Sequence, residues 1–438
     1  TKEDKNFHMI ILDTPERRKI MASEDYKDIF CCIRCAACLN VCPAFRLVGG
    51  HVYGGSIYTG GIGTLLTSFL NSRERGKDIQ NICLQCGTCN TVCGGKLDIA
   101  GMILKLRTKF AQEDGLNPVH KFCLDTVADR HLFHSMLRIA SVAQGMITKG
   151  QPMIRHLPMF LSGLTAGRSL PSVAPQPFRD ILPTIKQDVP NPKGKIAIFT
   201  GCLLDFVYVD IATDVVKALN MAGYIVEMPL GQACCGAPAT YMGDVENAKK
   251  AAEMNLNAME AEKYDYIVSA CPTCTHALRD YVDFFKDDPE MLKKAEALRS
   301  KTFDFCKLVS MLGGLPDTGD GVPMKVTYHD SCHLNRYLGV TKEQRELLKA
   351  TKGVELIEMH DCDKCCGFGG SYSVKFPEMS APILEEKINN IVASGADVVA
   401  VDCPGCLLQI RGGLDARGLN NIQVKHTAQI VVEKREKK

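Results

Sequence analysis

Two rhythms of apolar and polar residues run along this chain. In its first third, apolar positions recur every three to four residues, the period of a helix with one buried face. This predicts helices over Leu65 to Lys77 and over Ile99 to Gln112, and a longer, Met-rich helical stretch from His131 to Leu164. A Pro-rich stretch from Leu170 to Pro192 reads as a linker. Beyond it the rhythm changes to short apolar runs separated by amphipathic segments. Lys195 to Thr200, Ile225 to Met228 and Tyr266 to Ser269 predict strands, with a helix over Ile211 to Met221. Strands follow again at Met324 to Tyr328 and Ala396 to Val401. Strands alternating with helices announce an α/β architecture.

The chain has 438 residues, of which 46% are apolar and 23% charged, enough to bury ordinary cores and to exclude general disorder. Its formal charge of +2 argues against nucleic-acid binding held by bulk positive charge. No run of 18 uninterrupted apolar residues occurs, so no membrane-spanning helix is expected. The charged first thirty residues show no secretory signal, and the missing initiator Met leaves room for residues upstream of Thr1. What departs from an ordinary composition is 22 cysteines and no Trp. A chain with this much core material does not need disulfide staples, so the cysteines point to metal ligation in a thiol-reducing cytoplasm. Peripheral attachment to the inner face of a membrane is compatible with this location.

Two cysteine quartets open the chain: Cys32, Cys35, Cys38, Cys42 and then Cys83, Cys86, Cys89, Cys93. Each has the spacing C-x2-C-x2-C-x3-C, the bacterial [4Fe–4S] run in which the fourth cysteine serves the other cluster. One cubane is therefore expected on Cys32, Cys35, Cys38 and Cys93, the other on Cys83, Cys86, Cys89 and Cys42. A pair of zinc sites is the competing reading, but zinc closes with two Cys pairs and has no use for a third Cys at the same step. Helical sequence fills the space between the quartets, which predicts an α-helical ferredoxin domain.

The α/β part repeats itself. Cys202, Cys234-Cys235-Gly236 and Cys271-Pro-Thr-Cys274 return as Cys332, Cys365-Cys366-Gly367 and Cys403-Pro-Gly-Cys406, at offsets of 130, 131 and 132 residues. Phe303-Asp304-Phe305 is echoed by His426-Thr427-Ala428. This is a tandem duplication with five cysteines per copy at strand ends and turns, where an α/β sheet gathers ligands.

The pattern C-x(n)-C-C-G-x(n)-C-x2-C resembles the CCG cysteine-rich domain of heterodisulfide reductase subunits B and D. It also resembles the related iron–sulfur subunits of anaerobic glycerol-3-phosphate dehydrogenase and of glycolate and lactate oxidation. Cys35-Ala-Ala-Cys-Leu-Asn-Val-Cys-Pro43 with the glycine-rich segment to Gly63 is similar to lactate-utilisation protein B. Tyr328-His-Asp-Ser-Cys-His333 and Cys365-Cys-Gly-Phe-Gly-Gly370 are similar to lactate-utilisation protein A. Cys271-Pro-Thr-Cys274 and Cys403-Pro-Gly-Cys406 look more like heterodisulfide reductase D or the iron–sulfur subunit of the glycerol-3-phosphate dehydrogenase. The resemblance implies up to two noncubane [4Fe–4S] clusters, one on Cys202, Cys234, Cys235, Cys271 and Cys274, the other on Cys332, Cys365, Cys366, Cys403 and Cys406.

The expected architecture is thus multidomain, an α-helical ferredoxin domain followed by two tandem α/β CCG domains. The expected limits are 1–115 for the ferredoxin, 116–193 for a helical connector and linker, and 194–318 and 319–438 for the two copies. No G-x-G-x-x-G in register and no G-x-x-x-x-G-K-[ST] occurs, so no flavin, nicotinamide or ATP site is expected and no cofactor residues beyond the cluster ligands. No catalytic side chain is assigned. The expected role is an electron-transfer subunit, relaying electrons between a flavin-containing dehydrogenase or electron-transfer flavoprotein and an acceptor such as a membrane cytochrome or quinone-linked partner. Oxidation of lactate, a similar 2-hydroxy acid or glycerol-3-phosphate would supply the electrons. The alternative is a catalytic disulfide reductase subunit of the heterodisulfide reductase type. Cys31, Cys123, Cys306 and Cys362 read as bystander thiols, His329 and His333 as candidate hydrogen-bond donors to cluster sulfur, and Lys434 to Lys438 as a solvated tail.

Overall fold

Helix breaks and helix caps shape the first part of the chain. The computed structural model describes residues 8–145, 153–154, 168–316 and 321–435 and divides into two units, 1–107 and 108–438, the division falling within the helix Ile99–Asp114. The helix predicted over Leu65 to Lys77 is two helices, Gly60–Leu70 and Arg73–Ile79. Ser72 separates them: its Oγ accepts from the Arg75 N–H at 3.1 Å and caps the second helix. The two then fold closely together, because Gly76 offers no Cβ to the Ser68 side chain. The helix predicted from Ile99 runs to Asp114, with Ile103, Leu106 and Phe110 on its buried face.

The second unit begins with helices Pro118–Ala128 and Arg130–Ala143, capped by Asn117 and Asp129. No residue of Arg130–Ala143 is fully buried, and Leu132, Met136, Ile139 and Val142 stand exposed along it. The rest of the Met-rich stretch lies outside the described residues except Met153–Ile154. These two form a strand, β1, antiparallel to β2, Leu170–Pro171, where a helix was predicted.

Two four-stranded parallel sheets follow. β3 (Gly194–Ile198), β4 (Tyr224–Glu227), β5 (Tyr266–Ser269) and β6 (Thr302–Asp304) lie in the order β4-β3-β5-β6. β7 (Met324–His329), β8 (Val354–Leu356), β9 (Val398–Val401) and β10 (Gln423–His426) lie in the order β8-β7-β9-β10. The two orders correspond strand for strand. β9 is buried throughout and β7 over its last four residues, the apolar runs that a sheet covered on both faces requires. One apolar cluster joins the copies: Ile198, Val268 and Phe305 of the first continue into Val401, Leu407 and Val431 of the second. Helix Val209–Met221 of the first copy packs on helix Thr427–Glu433 of the second.

The stretch read as a linker is instead a packed strap. Phe178 is fully buried in the shared cluster, and the Arg179 guanidinium forks onto Asp205 through Nε (2.7 Å) and Nη2 (2.5 Å). Ahead of it, Ser169 N–H donates to the Gly412 carbonyl (3.1 Å) and Ser169 Oγ to Asp415 (2.5 Å). Prolines here fix a route across the surface of both copies, where composition alone suggested a spacer. Two of the C-terminal charged residues are also held, against the expectation of a solvated tail. Lys434 Nζ donates to the Val322 carbonyl (2.5 Å) and Arg435 Nη1 to Thr351 Oγ1 (3.1 Å). The remainder of that tail, 436–438, and the expected boundary at 318–319 lie outside the described residues.

Candidate metal centres

In the first unit each C-x2-C-x2-C loop turns by the same device. Arg34 and Ala36 flank Cys35 with φ of 61° and 62°, and Gln85 and Gly87 flank Cys86 with 59° and 71°. Left-handed residues on both sides of the middle cysteine curl the loop so that its three sulfurs converge. Cys38 then has Cys32, Cys93 and Cys35 as its charged neighbours. These four sulfurs line a cavity of about 300 Å³ together with Ile33, Arg34 and Tyr58. Cys42 sits with Cys86 and Cys83, and Cys89 with Cys83, Cys86 and Cys42. The fourth cysteine of each run is thus brought to the loop of the other, and Cys38 next to Cys89 makes the two groups neighbours. Burial and repulsion by Cys86 and Cys83 push the Cys42 thiol up to about 12. A cationic iron core offsets that penalty, and four soft sulfurs around one space fit a [4Fe–4S] cluster.

Around the second group the structure adds residues that the sequence did not single out. The Tyr53 ring is 1% exposed, beside Cys83, Cys42 and Cys89. Arg107 Nη2 donates to the carbonyls of Gln80 (2.7 Å) and Cys83 (3.1 Å), setting a guanidinium behind the loop. No sequence motif marks Arg107, since it lies mid-helix, 27 and 24 residues from the Gln80 and Cys83 carbonyls that it holds.

In the second unit the ten cysteines of the two copies lie at the carboxyl ends of the strands. Cys202 and Cys332 follow β3 and β7. Cys271 and Cys403 are N-caps of helices Pro272–Asp280 and Pro404–Ala416, with Cys274 and Cys406 in the first turns. A helix N-terminus, with Pro supplying the first helical residue, presents positive potential to these sulfurs. The Cys-Cys-Gly turns rest on left-handed glycines, Gly236 (φ 80°) and Gly367 (φ 83°), each pressed against the following long helix. Cys235 is contacted by Cys234 and Cys274, Cys366 by Cys365 and Cys406, and both thiols are lowered by hydrogen bonds from those neighbours. Cys202 adjoins Cys234, and Cys332 adjoins Cys365. Across the copies Cys271 meets Cys403, so the ten sulfurs form one unbroken series. All but Cys202 are buried. Soft donors in this number and this enclosure fit iron–sulfur clusters.

His329 is fully buried, within 4.8 Å of Cys366 and Cys406, and neither ring nitrogen has a hydrogen-bond partner among the described residues. Burial lowers its pKa to about 3, which keeps the ring neutral. His333, which faces Cys403, is held by other partners: its Nε2 meets Tyr241 Oη at 2.6 Å, and its ring stacks on Tyr337 and lies near His276. Among the remaining cysteines, Cys31 and Cys123 are exposed and Cys306 is buried 3.5 Å from Asp402. Cys362 accepts from Arg345 Nη2 at 3.6 Å.

Two family profiles match this layout: a 4Fe-4S dicluster domain over residues 28–97 and the cysteine-rich CCG domain over 196–279 and again over 326–411. A probable glycolate oxidase iron–sulfur subunit of Bacillus subtilis (strain 168) is 30% identical over 428 residues, 93% of this chain and 94% of that protein. The chain belongs to the CCG-domain iron–sulfur subunit family. Iron–sulfur clusters are accordingly its cofactors. Other similar members of this family include lactate utilization protein A of Shouchella clausii (strain KSM-K16), 39% identical over 55% of this chain and 99% of that protein. Lactate utilization protein A of Bacillus subtilis (strain 168) is 36% identical over 54% of this chain and 98% of that protein. The fold is also similar to that of a hypothetical protein from Helicobacter pylori, with a TM-score of 0.51 and 10% identity over 97% of this chain and 74% of the other. Among the described residues, no helix of this CCG-domain subunit is long and apolar enough to cross a membrane.

Proposed function

We propose that this chain is the electron-transfer subunit of a glycolate- or lactate-type oxidase complex. It takes single electrons from a flavin-containing dehydrogenase subunit, or an electron-transfer flavoprotein, and passes them to an acceptor such as a quinone-linked partner. Two cubane clusters on Cys32, Cys35, Cys38, Cys93 and on Cys83, Cys86, Cys89, Cys42 carry the first part of the path. Two CCG clusters, on Cys202, Cys234, Cys235, Cys271, Cys274 and on Cys332, Cys365, Cys366, Cys403, Cys406, carry the second. The ferredoxin occupies 1–115, the connector 116–193 and the copies 194–318 and 319–438.

The observation that carries this reading is the arrangement of the sulfurs as adjoining groups within each unit, Cys38 beside Cys89 and Cys271 beside Cys403. Adjacent one-electron centres are what a relay requires, and the clusters supply the electron chemistry while the protein sets their spacing and potentials. The test is anaerobic purification with iron and sulfide analysis. About 16 Fe per chain is expected, four per cluster, falling by about four in Cys93→Ser and again by about four in Cys42→Ser. Glycolate or lactate should bleach the clusters only when the flavin partner is present. Bleaching by the isolated chain, or iron unaffected by these substitutions, refutes the reading. The meeting of Cys271 with Cys403 favours one second reading, a disulfide cleaved between paired clusters. Turnover of a disulfide by the loaded isolated chain with a viologen donor would establish it.

A further inference from the structure

The two CCG copies can be compared position by position, because Gly236 and Gly367 pack in the same way. A Cβ on Gly236 would meet the Ala248 carbonyl and Ala251 Cβ, and one on Gly367 the Ser380 carbonyl and Ile383 Cβ. Seven residues beyond Ala248 and Ser380, on the same helical face, stand Asn255 and Lys387. Asn255 is a neutral clamp: its Nδ2 donates to the Cys234 carbonyl (2.9 Å) and its Oδ1 accepts from Ala233 N–H (2.8 Å). Lys387, 1% exposed, sets an ammonium in the same place, donating to the carbonyls of Asp361 (2.6 Å) and Cys362 (3.2 Å) and facing Cys366, Cys362 and Cys365. Three residues before the first cysteine of each copy, Phe199 in the first copy is replaced by His329 in the second, and both are fully buried. His329 brings one ring nitrogen to within 4.8 Å of the Cys366 and Cys406 sulfurs.

Four carboxylates around this site, Asp330, Asp361, Asp363 and Asp402, stand where the first copy has Thr200, Leu230, Gln232 and Ala270; Asp363 faces Lys387 but pairs with Arg336, and Asp361 pairs with Lys364. Asp330 is paired with Arg345 through Nη1 (2.9 Å) and Nη2 (2.7 Å). Asp402 precedes Cys403, and its oxygens are engaged by Tyr328 Oη (2.5 Å) and Cys306 Sγ (3.5 Å). Arg336, four residues after Cys332 and facing it, has Phe206 as its counterpart, and its guanidinium is paired with Asp363 (3.2 Å).

We propose that His329 and Lys387 are positioning residues that make the second CCG site the stronger electron acceptor of the pair, so that an electron shared between the copies rests on the second. The proposal rests on the reading that the ten cysteines hold clusters. Reduction adds one negative charge to a cluster, with the other copy oxidised by the same one electron. An N–H aimed at cluster sulfur and a fixed ammonium stabilise that extra charge more than they stabilise the oxidised state. Burial strengthens both effects, since the interior screens charge poorly. Phe199 and the Asn255 amide give the first cluster neither.

The test is an EPR-monitored redox titration of the full, anaerobically loaded chain, with iron content measured alongside. Cys235→Ser and Cys366→Ser assign the two CCG waves, and iron unchanged in both would defeat the cluster reading itself. Given assigned waves, the wild type should show the second copy at the higher potential. His329→Phe and Lys387→Asn, which install the first copy's residues, should each shift the equilibrium ratio of electrons between the copies at least tenfold towards the first, or about 59 mV for a one-electron couple. His329→Gln, which keeps an N–H, should retain part of the difference, and Phe199→His should raise the first wave. Equal waves in the wild type, waves unmoved by the substitutions, or loss of about four Fe in His329→Phe, which would make the ring a ligand or a prop, each overturns it.

Discussion

At the scale of single residues, the sites depend on backbone conformations that few side chains tolerate. Gly367 holds the Cys365-Cys366 turn at φ 83°, and a Cβ there would lie 2.8 Å from the Ser380 carbonyl oxygen and 3.1 Å from Ile383 Cβ. Gly367→Ala therefore meets both left-handed strain and a backbone clash, and should cost about 1–3 kcal/mol, read as a lower denaturant midpoint. The same change at Gly236 meets its nearest atoms at 3.2 Å and should be the milder of the two. The left-handed Arg34, Ala36 and Gln85 show that non-glycine residues also accept such conformations where converging sulfurs demand them.

At the scale of elements, the strap from Arg168 to Ile185 stabilises what composition would have left loose. Asp205 is fully buried with Arg179 as its partner. Arg179→Ala strands that carboxylate in the interior and should destabilise the second unit by about 3–5 kcal/mol, measurable by urea denaturation. Beside this pair His134, on helix Arg130–Ala143, rests 4.9 Å from the Phe206 ring. Burial first, then Arg179, Arg130 and Arg138, lower its pKa from 6.5 to about 3. The unfolded chain therefore binds a proton in this window that the folded chain refuses. The contribution of His134 is complete above pH 6.5 and is lost as pH falls towards 3. His134→Phe should flatten the dependence of the denaturant midpoint on pH over that interval. A midpoint that varies as steeply as the parent's would show that the ring does not titrate as its surroundings dictate.

At the scale of the molecule, the two copies share one apolar cluster and should unfold together. Leu219, fully buried on the helix that packs against Thr427–Glu433, belongs to an apolar cluster with members in both sheets. Leu219→Ala should cost about 2–5 kcal/mol. Hydrogen exchange should show protection falling in β3 and β9 together. Loss confined to the first copy would mean that the copies unfold independently. Packing of this kind keeps Cys271 against Cys403, a contact that depends on how the two sheets are set together.

Much of this was legible in the sequence, because cysteine spacing and apolar period are local properties. Three thiols at steps of three can serve one cube only through a tight loop, and a repeat offset of about 130 residues declares a duplication without reference to space. The strands β5 and β7 and the helix from Ile99 lie where the apolar pattern placed them, since buried parallel strands and one-faced helices carry their periods openly. Tertiary structure alone decided the rest. Ser72 split one periodic run into two helices because a hydroxyl cap competed with continuation. A Pro-rich stretch became a strap because Phe178 and Arg179 found partners far along the chain. Arg107 and Lys387 meet their cysteine turns from helices far along the chain, and periodicity carries no information about which distant backbone a buried cation will meet. The family and its cofactor chemistry were written in the spacing of the cysteines. The surroundings of those cysteines, which the inferred difference in potential between the two copies depends on, were set by packing.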